Sequence, residues 1–422
     1  MNGELTTYVK SQVLAIRRGG WPVFLRKLNN RLMRVCCVPL LVVVLPVIII
    51  ARALRPLVVI RFGRLSVDRI GHMAWDIELY LYERETMDNG IKTVDFFYYE
   101  LPVANKQLLK MRLRALKVSR FVYPLWRCNK LLPGGELHNF RISFNDSKYY
   151  EARNMLVKSN VHIKFTPEEA AFGNKCLREI GITESREYIC FHARESSFLN
   201  KVFPGADFKY HDYRDAVIEN FLSAAEEMTN RGYFAIRLGK YVENPILTNN
   251  SKVIDYSTEL RTDFLDIFLL AKCRFLIGTN TGVTDVADIF RKPVVKTNVT
   301  QFYAEIQLCG EKDLFLIKKF WLKREHRFLS FREIVGSSLF RLNRTEQVEQ
   351  AGIELIENTE KEILDITVEM DERLKGTWKS TEEDEELQEQ FWSILIESGK
   401  FIGPPVSRIG AMFIRQNQYL LE

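Results

Sequence analysis

From Glu187 to Thr297 short runs of β-branched and aromatic residues alternate with helix-period segments, and this alternation constrains the fold more than any other feature. EYICFHAR, GYFAIRLG, KVIDY, CRFLIG and PVVKT read as strands. Between them stand a helix that Asp212 can cap, with Val217, Ile218, Phe221, Leu222 and Ala225 on one face, a helix from Thr262 to Ala271, and a helix beginning near Gly282. Strands joined through helices need crossover connections, so the expected product is a parallel, doubly wound sheet. A shorter series precedes it: LVVIRF (Leu57 to Phe62), a helix through MAWDIELYLYERE, the strand IKTVDFFYY (Ile91 to Tyr99) and a basic helix LLKMRLRALK. At 422 residues two cores are expected rather than one. The division is 1–55, a leading basic and apolar segment; 56–182, a first α/β domain; 183–342, a second; and 343–422, an acidic helical segment.

Val35 to Ala51 reads VCCVPLLVVVLPVIIIA, seventeen residues without a charge, at the short limit for a spanning helix and interrupted by Pro39 and Pro46. Arg26, Lys27, Arg31 and Arg34 precede it; Arg52, Arg55, Arg61 and Arg64 follow. Basic flanks on both sides choose no orientation and suit a segment that dips into a bilayer and returns. From Met1 to His72 there are twelve Lys and Arg against Glu4 and Asp68, so the net charge of +6 gathers beside the apolar run. An anionic membrane surface is the expected partner, and nucleic acid is not. The seven cysteines form no C-x-x-C pair and lie among apolar neighbours, which suits buried free thiols in a reducing compartment and a place on the cytoplasmic face of the inner membrane, peripheral or monotopic. Sequons at Asn145, Asn249, Asn298 and Asn343 would fit the alternative of a single-span protein with a lumenal domain.

In open α/β sheets ligands bind at the carboxyl ends of strands, so the residues after each strand are the candidates. In FLIGTNTGVTDVADIF (Phe275 to Phe290) a strand ends in Gly278, Thr279, Asn280, Thr281 and Gly282 and a helix follows at once. Small residues there let an anion approach, and the helix N-terminus with the Thr281 hydroxyl would favour a diphosphate. Arg237, near the end of GYFAIRLG, and Lys240, directly after it, are cations for phosphate oxygens. HARESS places His192, Arg194 and Glu195 at another strand end, where a general base or a phosphate ligand could stand. In the first domain DRIGHMAWDIE brings Gly71, where an acceptor could come close, and sets His72 and Asp76 at i and i+4 on one helix face, each able to take a proton from a hydroxyl. No D-x-D triplet occurs and the six His do not cluster at ligand spacing, so no metal is implied.

The run FLDIFLLAKCRFLIGTNTGVTDVADIFRKPVV resembles the donor-site signature of GT-B glycosyltransferases, above all the heptosyltransferase pattern of helix, strand, D-T-G turn and helix ending in K-P. That resemblance implies that Thr281 and Gly282 hold donor phosphates. Asn280 stands where that family has Asp, and Asp285 where it has His. HARESS resembles the H-x-R-x-x-D motif of fucosyltransferase-like enzymes, with His192 and Arg194 on its first and third positions and Ser197 in place of Asp. With YHDYRD (Tyr210 to Asp215), RLGK and RTDFLD (Arg261 to Asp266) the set is similar to bacterial transferases associated with surface-polysaccharide clusters.

The resemblance implies a GT-B enzyme: two Rossmann-like domains facing a cleft, with the C-terminal helices crossing back to the first. A nucleotide sugar would sit on the second domain and a glycan or lipid-linked acceptor on the first. His72 is the expected base, ahead of Asp76 and Glu195. Arg194, Arg237, Lys240, Thr281 and Gly282 would bind the donor phosphates. An epimerase of the same fold, or a non-catalytic membrane scaffold of a glycan-assembly complex, are the alternatives.

Overall fold

The structure, a computed structural model, describes residues 20–21, 24–25, 28, 37–86, 90, 92–142, 159–196, 208–401 and 403–422. Arg26, Lys27, Arg31, Arg34, the sequon at Asn145 and Ser197 lie outside the described residues.

The first domain is built on β1 (Val59–Leu65), α2 (Ile70–Thr86), β2 (Thr93–Tyr99), α3 (Lys106–Leu113), α4 (Val122–Asn129) and β3 (Asn139–Arg141). Its parallel sheet runs β2-β1-β3. Side chains alternate across it: Phe97 meets Tyr80 of α2, while Phe62 and Tyr98 meet Val122 and Trp126 of α4, so both faces are covered. The apolar run near the start folds into α1 (Cys37–Ala53). Its Val44 and Ile48 pack on Cys128 and Leu125, and Ala51 reaches Phe62. The expected leading segment is therefore joined to the first domain from residue 37. No helix among the described residues is long and apolar enough to cross a membrane.

After α5 (Pro167–Glu179) the second domain adds β4 (Tyr188–His192), α6 (Leu222–Asn230), β5 (Phe234–Arg237), β6 (Val253–Ile254), α7 (Asp263–Lys272), β7 (Leu276–Thr279), α8 (Gly282–Ile289), β8 (Val294–Val299) and β9 (Leu314–Ile317). Their order in the sheet is β9-β8-β7-β4-β5-β6, all parallel, so the chain winds outward one way from β4 and then the other from β7. The reversal lies between β4 and β7. A small antiparallel sheet of β10 (Lys319–Leu322), β11 (Arg327–Phe328) and β12 (Ile353–Ile356) follows. Five described cysteines are free, four of them buried.

Two expectations are corrected. Asp212 caps no helix: it sits in a 3-10 turn (Lys209–Arg214), the backbone is extended at Asp215 and Val217, and α6 starts only at Leu222. The C-terminal segment is not an extension lying across both domains. Ile363, Ile366 and Met370 of α9 (Glu360–Lys375) and Phe391 and Leu395 of α10 (Glu382–Glu397) enter the core of the second sheet, and β13 (Arg408–Ile409) extends that sheet beside β9. Their apolar faces are used in completing the second domain, which leaves none to cover the first. The sequon at Asn298 is closed as well, because that side chain is buried and accepts the Asn358 N–H at 2.9 Å.

The domains meet where α2 packs on α8. A Cβ on Gly282 would stand 2.4 Å from Ile70 Cγ2 and 2.7 Å from the Gly71 nitrogen, and one on Gly71 would stand 3.3 Å from the Gly282 Cα. Only bare glycine allows the two helix starts this close. Behind them Glu78 of α2, with no exposed surface, binds Arg112 at 2.7 Å, His162 at 2.8 Å and Arg291 of the second domain at 3.2 Å. Burial alone would raise the Glu78 carboxyl; His162 and Arg112 hold it down to about 2. Gly282→Ala forces backbone against backbone, and a lower melting temperature is expected, corresponding to about 1–3 kcal/mol of overpacking. An unchanged melting curve and an unchanged small-angle scattering profile would refute this contact.

Candidate active site

The carboxyl ends of β4, β5 and β7 open onto a cavity of about 420 Å3, bounded on its far side by the start of α2. This is the crevice at which the strand order reverses, where a doubly wound sheet leaves room for a ligand. Arg69 of the first domain and Arg194, Arg214 and Lys240 of the second line it. Arg194 donates to the His211 carbonyl at 3.1 Å and pairs with Asp215; Arg214 donates to the Asn280 carbonyl. The cations crowd one another. Burial and then Arg214 push Arg194 down to about 10, and burial followed by Arg214, Arg194, Arg69 and Arg344 pushes His211 down to about 4. His211 is thus neutral near pH 7, and its buried Nδ1 has no hydrogen-bond partner. Forked guanidinium donors gathered so closely are suited to an oxygen-rich anion.

Across the cavity His72 Nδ1 lies 3.3 Å from Asp76 Oδ2, on adjacent turns of α2. The hydrogen bond to Asp76 raises His72 above its ordinary value against the opposing effect of burial. Asp76 is buried, its Oδ1 has no hydrogen-bond partner, and its grip on Nδ1 leaves Nε2 to exchange a proton. His192 differs: half-buried in the cavity wall and pushed down to about 4 chiefly by desolvation, it donates from Nδ1 to the Leu238 carbonyl at 2.9 Å.

Several expected donor ligands are placed elsewhere. Arg237, 1% exposed, spends its guanidinium on the Asn244 carbonyl at 2.7 Å, Glu195 at 3.0 Å and Asp255 at 3.2 Å, and does not reach the cavity. Glu195 lines the cavity, with one oxygen held by Arg237 and the other by the Glu243 N–H at 2.7 Å. Thr279 is buried and accepts the Arg194 N–H at 2.9 Å, locking β4 to β7; at Gly278 a Cβ would meet the His192 carbonyl at 3.2 Å. Both shape the strand ends without lining the cavity. Gly282 does line it, yet its missing side chain admits the first domain's helix. Thr281 caps α8 by accepting the Val283 N–H at 3.2 Å, so that amide is not left for a phosphate, although the hydroxyl keeps its own proton to donate. Asn280 and Thr281 line the cavity as expected, and Lys240 does so while donating to the Ala104 carbonyl of the first domain at 2.6 Å.

Arg69, His211 and Arg214 were not singled out by the sequence pattern. Arg214 and His211 lie within YHDYRD and Arg69 directly before the Gly71–His72 pair. The sign available was a cluster of polar residues where the helix pattern breaks.

No known protein family matches the chain, and no curated protein does. Among solved structures it is similar to ADP-heptose LPS heptosyltransferase II of E. coli, at 10% identity over 61% of this chain and 90% of that one, with a TM-score of 0.39. It is similar also to a family 9 glycosyltransferase of Veillonella parvula DSM 2008, at 13% identity, 61% and 85% coverage and a TM-score of 0.36. A third is the iron-containing dodecameric glycosyltransferase TibC of enterotoxigenic E. coli H10407, at 9%, 58% and 60%, and 0.34. At that level of likeness the chemistry has to be argued from the cleft itself.

Asp285 supplies a test. Burial raises its carboxyl to about 6, although Lys296, Arg214 and His72 pull the other way. Above that pH it is an anion beside the cation cluster and opposes a second anion; below it the carboxyl is neutral. The affinity for an anion that does not itself titrate there, such as sulfate, should therefore rise as pH falls through about 6, and Asp285→Asn should flatten the curve. Calorimetric titration from pH 5 to 8 measures this; identical pH profiles for the two proteins would rule out the carboxylate's influence.

Proposed function

We propose that the chain is a metal-independent glycosyltransferase of GT-B architecture, moving a sugar from a nucleoside-diphosphate donor to a hydroxyl of a glycan or lipid-linked acceptor, as in surface-polysaccharide assembly. The observation that supports it is the convergence of Arg69, Arg194, Arg214 and Lys240 on one interdomain cavity that also holds the His72–Asp76 pair. In this reading the diphosphate lies against the guanidinium groups of the second domain, near Asn280 and Thr281. An acceptor hydroxyl enters beside α2. Its oxygen bonds to the anomeric carbon as the bond from that carbon to the diphosphate oxygen breaks. The hydroxyl proton passes to His72 Nε2 while Asp76 steadies the imidazolium, and the departing diphosphate keeps the bonding electrons. Fixed cations placed where negative charge develops supply the electrostatic part of catalysis, so turnover in the presence of a chelator is expected.

Purified protein should be stabilised to heat by one nucleoside diphosphate out of a panel, because a ligand that binds only the folded state raises its stability. With the matching sugar donor, Arg214→Ala should lose turnover by about 10²–10³-fold and His72→Ala by about 10²–10⁴-fold, the second with donor binding retained. Because His72 must be unprotonated to act and its pKa is raised, the rate should climb with pH through a value above 6.5. Arg237→Ala should instead lower the melting temperature, since it leaves the half-buried Glu195 and Asp255 carboxylates without their shared cation. Nucleotide-sugar affinity unaltered in Arg214→Ala would overturn the assignment.

A further inference from the structure

Helix α1 is apolar on every side up to Ala51, and from Val43 onward its covered side chains form one stripe. Val44, Ile48 and Ala51, spaced i, i+4 and i+7, are buried against α4 and the sheet. The remaining surface presents Val43, Leu45, Val47, Ile49, Ile50 and Leu54, with Val43 68% and Ile50 59% exposed. Leu57, just beyond the helix, is 77% exposed, and Phe121 and Leu131, which bracket α4, are 83% and 74% exposed. A helix with no polar face is ordinarily buried in a core or in lipid, and a contiguous apolar patch of this kind marks an interaction surface.

The charge around it names the partner. Residues 37–67, which carry α1 and β1, hold four arginines and neither Asp nor Glu. Residues 101–135, which carry α3 and α4, hold eight Lys and Arg and again neither acid. Because α1 packs on α4, these two acid-free stretches are brought together. Arg112 is taken up by Glu78 and Arg61 by Asp95, but Arg55, Lys117, Arg120 and Lys130 are exposed. We infer that the α1–α4 face docks on an anionic lipid surface, with the outer side of α1 in the acyl boundary of one leaflet and the neighbouring cations at the headgroups. A second copy of the chain would bring like charges together, whereas anionic headgroups neutralise them. A 17-residue helix tied along one stripe to α4 keeps its outer side for one leaflet and is not long enough to cross. The inference is independent of the cleft and its ligand.

Sedimentation of the full chain with vesicles tests it. Binding should be strong to phosphatidylcholine vesicles containing phosphatidylglycerol and weaker to phosphatidylcholine alone, with the difference shrinking as salt is added. Val47→Glu with Ile50→Glu, both on the exposed face, should abolish binding to either vesicle. Arg120→Glu with Lys130→Glu should keep binding to neutral vesicles and lose about tenfold or more of the affinity for anionic ones. Wild-type protein left in the supernatant with anionic vesicles would overturn the inference, as would Val47→Glu/Ile50→Glu protein that binds like wild type. So would a dimer, seen by light scattering, that the same pair of substitutions dissolves. Retained thermal stabilisation by nucleotide in each variant shows that fold and cleft are intact, so a failure here leaves the donor assignment standing.

Discussion

The close approach of two helix starts, α2 of the first domain and α8 of the second, sets the shape of everything around it. Gly71 and Gly282 bring their backbones to a separation that no side chain permits. This fixes His72 and Asp76 opposite the strand ends of the second sheet. It also places the Asp285 carboxylate beside the first turn of α2, where the helix dipole favours negative charge. The Glu78, Arg112, His162 and Arg291 cluster then pins the same interface from behind. An ionic group whose centre, Glu78 with Arg112, is fully buried is costly to break because removing either partner leaves the other uncompensated.

The parallel sheets were readable because they are written in local pattern: β-branched runs, helix periods, and Gly, Asn and Thr at a strand end. Thr262 caps α7 and Thr281 caps α8 at the positions where the sequence places helix starts. The site was only partly readable. Arg237 ends one buried strand and Arg194 follows another, and alternation alone cannot tell which one faces the crevice. What decides is that Glu195 and Asp255, from two separate loops, surround Arg237. Arg214 escaped notice for the opposite reason. Helix periodicity from Val217 onward looked continuous with Asp212, and only the extended backbone at Asp215 and Val217 turns that segment toward the cavity.

The C-terminal helices show the limit of amphipathicity as a guide. A polar face and an apolar face in IELIENTEKEILDITVEMDERL predict that something will be covered, not what. The segment divides at Asn358, whose side chain donates to the Ile317 carbonyl at 3.0 Å and accepts the Asn298 N–H at 2.7 Å; strand β12 lies before it and α9 after. Those bonds tie the crossover to the second sheet, and α9 follows onto the same core.

The electrostatics of the cleft link ligand to domain apposition. Arg69 belongs to the first domain and Arg194 and Arg214 to the second, and mutual repulsion among them is part of what depresses Arg194 and holds His211 neutral. Without an anion that repulsion opposes the glycine contact between α2 and α8. An anion bound among the three cations reverses the sign of the force, from separation to attraction, at the point where the two domains touch. In the proposed reaction, binding energy from the phosphates would thereby be available to hold His72 over the reacting hydroxyl, so that a group far from the bond being made would contribute to its rate. The bare Cα atoms of Gly71 and Gly282 then do more than allow packing. They let the two domains come close enough for one anion to be shared.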